Sequence, residues 1–90
     1  MKTFSLTISS PDGDLFRGEA VKLILRGTEG ELAVMAGHVP FVTAVRKGRC
    51  VVEEASGDRK TGIVNDGLLT VAREQTTLLT DTLRWDETNP

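Results

Sequence analysis

The sequence predicts an all-β protein, a sandwich or barrel, and two observations lead to that prediction. Val, Ile and Thr supply 23 of the 90 residues, and β-branched side chains suit a pleated surface. Short apolar or alternating segments recur about every eight to twelve residues with turn-forming residues between them, a pattern typical of sandwiches and barrels. A chain of 90 residues and 9.8 kDa accommodates one domain.

Nine segments have the composition of strands. The first, residues 4–9, alternates apolar and polar side chains, which predicts a strand with one exposed face. A turn over residues 10–14 ends it, because Pro11 restricts φ and Gly13 accepts a positive φ. The remaining predicted strands, each bounded by turn-forming residues, are 15–20, 21–26, 31–35, 41–45, 49–54, 59–64, 68–72 and 75–81. The segment 31–35 is predicted to be a buried strand because it is mostly apolar.

One stretch is open to a second interpretation. Leu68, Val71, Ala72 and Leu79 could line one face of a helix. The four threonines in the same stretch lower its helix propensity, so we predict a hairpin that reverses at residues 73–74.

Charge and hydropathy exclude several classes of function. Thirteen acidic and eleven basic residues leave a net charge of −2, so the chain has no overall positive field for nucleic acid. The longest apolar run, residues 32–36, is far shorter than a membrane-spanning helix, and the first residues lack the apolar stretch of a secretory signal. We therefore expect any contact with a membrane to be made through a partner.

The sequence contains no convincing catalytic or metal-binding motif. His38 and Cys50 are the one histidine and the one cysteine, and neither lies in a nucleophile elbow. Residues 27–31 contain glycines but lack the Lys-Ser/Thr ending of a phosphate loop. Asp12-Gly13-Asp14 lacks the distal acidic ligand of a calcium loop. We predict a noncatalytic protein with no cofactor, metal ion or small-molecule substrate.

Several predicted strands are apolar on both faces, which is unusual for a sheet with one exposed side. Their second face must be covered either by another part of the chain, as in a closed barrel, or by a partner. This pattern favours an interaction module over an enzyme. The segments are 23–25, 32–35, 41–45 and 68–69.

Residues 27–48 resemble the signature of the epsilon subunit of F-type ATP synthases. In that family a Gly-Ser/Thr-Glu-Gly-Glu-Leu segment leads into Gly-His-Ala-Pro-Leu and then a strand that ends at a glycine turn; here the residues are GTEGELAVMAGHVPFVTAVRKG. Residues 15–18 match the family's apolar-Phe-x-Gly step, and residues 64–71 and 77–82 match two later strands. The resemblance covers residues 3 to 85, nearly the whole chain.

The resemblance implies a flattened, ten-stranded sandwich of antiparallel strands over residues 1–85, followed by a polar tail at 86–90. It implies a noncatalytic rotor subunit in the central stalk of a proton- or sodium-translocating synthase. Its partners would be the gamma subunit and the c-ring, so that ion-driven rotation is coupled to ATP synthesis. The protein would be peripheral, at the cytoplasmic face of the cell membrane.

The resemblance also implies partner-binding residues. Glu29, Glu31 and His38 match the loop region expected near the c-ring, and Val42 and Ala44 on the next strand are further expected contacts. From the residues alone, the two glutamates could equally be solvated, and the His38 imidazole could form a local hydrogen bond.

The chain also departs from the family pattern. The family's two-helix carboxy-terminal domain would begin where this sequence ends, so regulation by that extension is expected to be absent. Asn65-Asp66-Gly67 replaces a glycine pair, which puts close backbone packing at that turn in doubt. The alternative hypothesis is a stand-alone β-sandwich binding module with the same fold and no synthase partner.

Overall fold

The structure, a computed structural model, describes residues 2–86 and contains no helix in that range. The described residues form nine β-strands, which confirms the all-β prediction. The strands are β1 (Phe4–Ser10), β2 (Gly13–Gly27), β3 (Gly30–Met35), β4 (Phe41–Val45), β5 (Gly48–Glu54), β6 (Arg59–Val64), β7 (Gly67–Val71), β8 (Gln75–Thr80) and β9 (Leu83–Trp85).

The strands form two packed layers that share the long strand β2. One layer, layer A, has the order β4-β7-β8-β1 and ends with the first half of β2. The other, layer B, contains β3, the second half of β2, β5, β6 and β9. The sheet is not closed, so the fold is a sandwich and not a barrel.

Strand β2 passes from one layer to the other at Ala20. This residue is fully buried, and the register with β5 shifts between Ala20 and Lys22, an irregularity that bends a strand. The sequence predicted two strands here, 15–20 and 21–26, whereas the structure has one strand of 15 residues. Because no turn residue separates the two halves, the chain changes its pairing partner without stopping. The described residues therefore contain nine strands, not the ten that the resemblance implied.

The core lies between the layers and consists of the inward-facing side chains, which occur at about every second position along the strands. In β1 the observed burial alternates along residues 4–8 as predicted. Fully buried side chains from both layers form one cluster, with Leu6, Ile8, Leu69 and Leu78 from layer A and Leu23, Leu25, Val52 and Val64 from layer B. This packed interior fixes which side chains face outward.

One pairing contradicts the prediction of purely antiparallel strands. β1 and β8 run parallel, with Ser5 opposite Gln75 and Ser9 opposite Leu79. About 70 residues separate the paired positions, so no tight turn imposes an antiparallel direction. The remaining strand pairs are antiparallel.

The predicted hairpin over residues 68–81 is confirmed. Strands β7 and β8 pair antiparallel, and the Ala72 N–H donates to the Gln75 carbonyl at 2.9 Å. The prediction that 31–35 is buried was wrong in part: Val34 is buried, but Ala33 and Met35 are exposed. The reason is that β3 pairs with β2 alone and forms a sheet edge with an uncovered outer face.

The described chain ends close to an ordered strand. Trp85, the last residue of the predicted domain, belongs to β9, and Leu83 of that strand is buried. The Asp86 N–H donates to the Thr61 carbonyl at 2.8 Å. The rest of the predicted polar tail, residues 87–90, lies outside the described residues.

Candidate docking surface

An apolar patch crosses the outer face of layer A. Ala44 of β4 lies opposite Leu68 of β7, which lies opposite Leu79 of β8, and Leu79 in turn lies opposite Ser9 of β1. Leu68 is 44% exposed and Leu79 50%, and neighbouring Val42 is 63% exposed. We call Val42, Ala44, Leu68 and Leu79 the layer A patch. Of the two alternatives that the sequence left open for such a face, cover by another part of the chain is not found here among the described residues.

Part of the patch forms the wall of a groove. The groove has a volume of about 500 Å³. It lies between the β1–β2 turn on one side and the start of β7 and the end of β8 on the other, and its lining residues include Ser10, Pro11, Leu68 and Leu79. Most of its lining surface is apolar, and Asp66 and Asp81 are the charged residues among those that line it. A shallow apolar groove with a polar border is the form expected of a protein-docking surface.

The backbone beneath the groove is held closely. A Cβ atom on Gly67 would lie 2.3 Å from the carbonyl oxygen of Leu79. The Thr80 hydroxyl lies 3.1 Å from the Asp66 carbonyl and 3.3 Å from that of Asn65. The departure from the family's glycine pair therefore leaves close packing intact, because Gly67 is the position where the two backbones approach.

Glu29 and Glu31 lie at the turn that joins β2 and β3. Residues 28–29 form a two-residue connection, and Gly30 has a φ of +127°, which few other residues adopt. Both glutamates are exposed, and Glu31 lies opposite Arg26. The turn therefore presents both carboxylates to solvent.

His38 lies at the other end of β3. Its N–H donates to the Met35 carbonyl at 3.2 Å, its Nδ1 lies 2.9 Å from the Val39 carbonyl, and its ring centroid is 4.8 Å from that of Phe41. Since β3 has six residues, about 17 Å separates its two ends. The five predicted site residues therefore do not form one cluster. Glu29 and Glu31 lie together at the β2–β3 turn, whereas His38 lies beyond the other end of β3. Val42 and Ala44 lie together on β4.

The structure gives no support to a Cys-His dyad. The Cys50 side chain is fully buried between the layers, and this burial raises the pKa of the thiol to about 12. The exposed His38 ring contacts Val39 and Phe41. Residues 2–86 contain no group of three His, Cys, Asp or Glu side chains placed to hold a metal ion. Within the same range, no helix is long and apolar enough to cross a bilayer.

Sequence reasoning found half of the layer A patch. It selected Val42 and Ala44 as site residues and noted that Leu68 follows the two-sided pattern, but it did not select Leu79 or the groove beside Pro11. The pair Leu78-Leu79 carried the same signal of apolar residues on both faces.

The family comparison agrees with this architecture. The β-sandwich domain of the ATP synthase delta/epsilon chain matches residues 3–86. The chain belongs to this family. The ATP synthase epsilon chain, sodium ion specific, of Acetobacterium woodii is 36% identical over 86 residues, which are 96% of this chain and 65% of that protein. The epsilon chain of Psychrobacter arcticus is 35% identical over 82 residues, 91% of this chain and 59% of that protein.

Solved structures share the fold. A chain of the Euglena gracilis mitochondrial ATP synthase, solved with OSCP, F1 and the c-ring, superposes with a TM-score of 0.86 at 22% identity, over 92% of this chain and 53% of that chain. A chain of the Tetrahymena thermophila mitochondrial ATP synthase central stalk and c-ring gives a TM-score of 0.73 at 13% identity, over 92% and 66%. This chain spans about 60% of the length of the epsilon chains that it matches.

Proposed function

We propose that this chain is a noncatalytic rotor subunit in the central stalk of an F-type ATP synthase. The observation that carries the proposal is the match of residues 3–86 to the epsilon family, in a protein whose layer A patch is exposed and apolar. The chain acts mechanically: it holds the gamma subunit to the c-ring, so that ion-driven rotation reaches the catalytic head. It associates with the cytoplasmic face of the membrane through the ring.

The layer A patch is the docking site for the gamma subunit. Val42, Leu68 and Leu79 are each at least 44% exposed, and removing apolar surface from water favours protein–protein association. The groove beside Leu68 and Pro11 offers a recess for an apolar side chain of the partner. The close backbone packing at Gly67 keeps the surface in one shape before binding.

The β2–β3 turn is the contact with the c-ring. Glu29 and Glu31 are exposed there, and two carboxylates on a short turn suit basic groups on the polar loops of a ring. A polar contact of this kind adds specificity and speeds association more than it adds affinity. His38, at the far end of β3, is a second and separate contact in this proposal.

A pull-down with the cognate gamma subunit tests the proposal. We expect the wild-type chain to retain gamma, Val42→Asp to lose it, and Glu31→Lys to retain gamma while it weakens binding to the c-ring. Ile63→Asp is the matched control, because Ile63 is 44% exposed on the outer face of layer B. A folded wild-type chain that does not bind gamma would instead support the alternative hypothesis of a stand-alone binding module.

A further inference from the structure

Three arginines form a row across the outer face of layer B. Ile24 lies opposite Val51 in the β2–β5 pair, and the same register places Arg26 opposite Arg49. Arg49 lies opposite Ile63 of β6, and Ile63 lies opposite Arg84 of β9. We call Arg26, Arg49 and Arg84 the arginine row; with strands about 4.8 Å apart, it is about 14 Å long.

The row is electrostatically unfavourable in the isolated chain. Arg26 and Arg49 border the same depression, where Glu31 is the one acidic residue beside the two arginines, and like charges directly opposite each other destabilise a sheet. Within residues 2–86, the one ion pair shorter than 4.0 Å joins Arg17 and Asp14, far from the row. The Arg26 side chain packs over Gly48, where a Cβ atom would lie 3.0 Å from its Cδ.

The row surrounds an apolar side chain. Ile63 is 44% exposed between Arg49 and Arg84, and Lys47 lines the same depression as Ile63 and Arg84. An exposed apolar residue flanked by arginines has the composition of a protein-binding hot spot. This surface lies on the layer opposite to the layer A patch.

We propose that the arginine row binds an acidic segment of a protein partner, with its carboxylates on Arg26, Arg49 and Arg84. Guanidinium groups match carboxylates with two parallel hydrogen bonds. About four extended residues span 14 Å, so a short acidic strand fits the row. Acidic groups lie beside the row, with Glu31 opposite Arg26 and Asp86 in the depression with Arg84. The positive surface is therefore confined to the row, which suits one short segment better than a broad anionic membrane. The inference is independent of the contact with gamma.

A fluorescein-labelled ten-residue glutamate peptide is the probe. We expect the 90-residue chain to bind it, the affinity to fall with added salt, and the double variant R49E/R84E to bind at least tenfold more weakly. The neutral variant R49Q/R84Q should lose at least threefold. R59E/R73E makes the same change of charge at exposed positions outside the row and should stay within twofold of wild type. Circular dichroism verifies the fold of each variant.

Three outcomes would overturn the proposal. The first is that the wild-type chain binds no peptide. The second is that R59E/R73E loses as much affinity as R49E/R84E, which would reduce the effect to net charge. The third is tighter binding to phosphatidylglycerol vesicles, or to inorganic phosphate, than to the peptide, which would assign the row to phosphate groups. Val42→Asp should leave peptide binding unchanged even if it abolishes binding to gamma.

Discussion

Leu68 and Leu79 lie directly opposite each other on β7 and β8, and both point away from the core. Their sequence neighbours Leu69 and Leu78 form the matching pair on the inner face, where both are fully buried. The same two strands therefore provide one pair of leucines to the core and one to the surface. The inner pair forms part of the core, whereas the outer pair remains exposed and accessible to a partner.

Gly67→Ala tests the close packing beneath the groove. The new Cβ would lie 2.3 Å from the Leu79 carbonyl oxygen, so the backbones of β7 and β8 must separate. We expect a loss of about 2–3 kcal/mol in the free energy of unfolding, measured by urea denaturation. Gly18→Ala is the control, because its Cβ would meet the Phe16 ring at an ordinary 3.5 Å; equal losses in both variants would contradict the account.

Glu19 makes stability depend on pH. The Ser5 hydroxyl donates to its carboxylate at 2.7 Å and the Thr3 hydroxyl at 2.9 Å, and these bonds lower the pKa of Glu19 from 4.5. Its stabilising contribution is therefore present above pH 4.5 and is lost as the pH falls through the lowered pKa. We expect Glu19→Gln to reduce the fall in the free energy of unfolding at acidic pH. Glu74→Gln, at an exposed turn, should leave that fall unchanged.

Cys50 should be unreactive in the folded protein. Its thiol is buried and has a pKa raised to about 12, so almost no thiolate is present at pH 8. We expect a thiol reagent to label Cys50 only after addition of denaturant, as followed by mass spectrometry. Complete labelling of the native chain within minutes would show that the layers open there.

Trp85 connects β9 to β2 through a hydrogen bond and an aromatic contact. Its Nε1–H donates to the Leu15 carbonyl at 3.4 Å, and its ring meets Phe16 edge-on at a centroid distance of 6.4 Å. We expect Trp85→Ala to lower the free energy of unfolding by about 2 kcal/mol, less than a fully buried aromatic residue because Trp85 is half-buried. Phe remains large and apolar, so Trp85→Phe should recover most of the loss. An unchanged midpoint of unfolding for Trp85→Ala would instead show that β9 does not unfold cooperatively with the rest of the domain.

Local patterns predicted most of the fold. Alternation from residue 4 to residue 9 predicted β1, the turn-forming residues between 49–54 and 59–64 separated β5 from β6, and the reversal at residues 73–74 predicted the hairpin β7–β8. The parallel pairing of β1 with β8 was beyond such reasoning, because it depends on packing between residues far apart in the chain. The passage of β2 between layers was missed for the same reason.

The site was predictable only in part. Val42 and Ala44 were selected through a family resemblance, whereas Leu79 joins the patch because the β7–β8 register places it beside Leu68. Composition shows that residues 78 and 79 are both apolar but cannot tell which one faces outward. The arginine row was likewise invisible, because its members come from three strands that only the sheet brings together.

The affinity of the cognate gamma subunit for the Leu68→Asp and Ile63→Asp variants tests the central claim most directly. Both residues are 44% exposed and apolar, on opposite layers, so the substitutions are matched in chemistry and burial. Isothermal titration calorimetry should give at least a hundredfold weaker binding for Leu68→Asp and a change of less than threefold for Ile63→Asp. Wild-type affinity for a folded Leu68→Asp chain would contradict the assignment of the layer A patch to gamma.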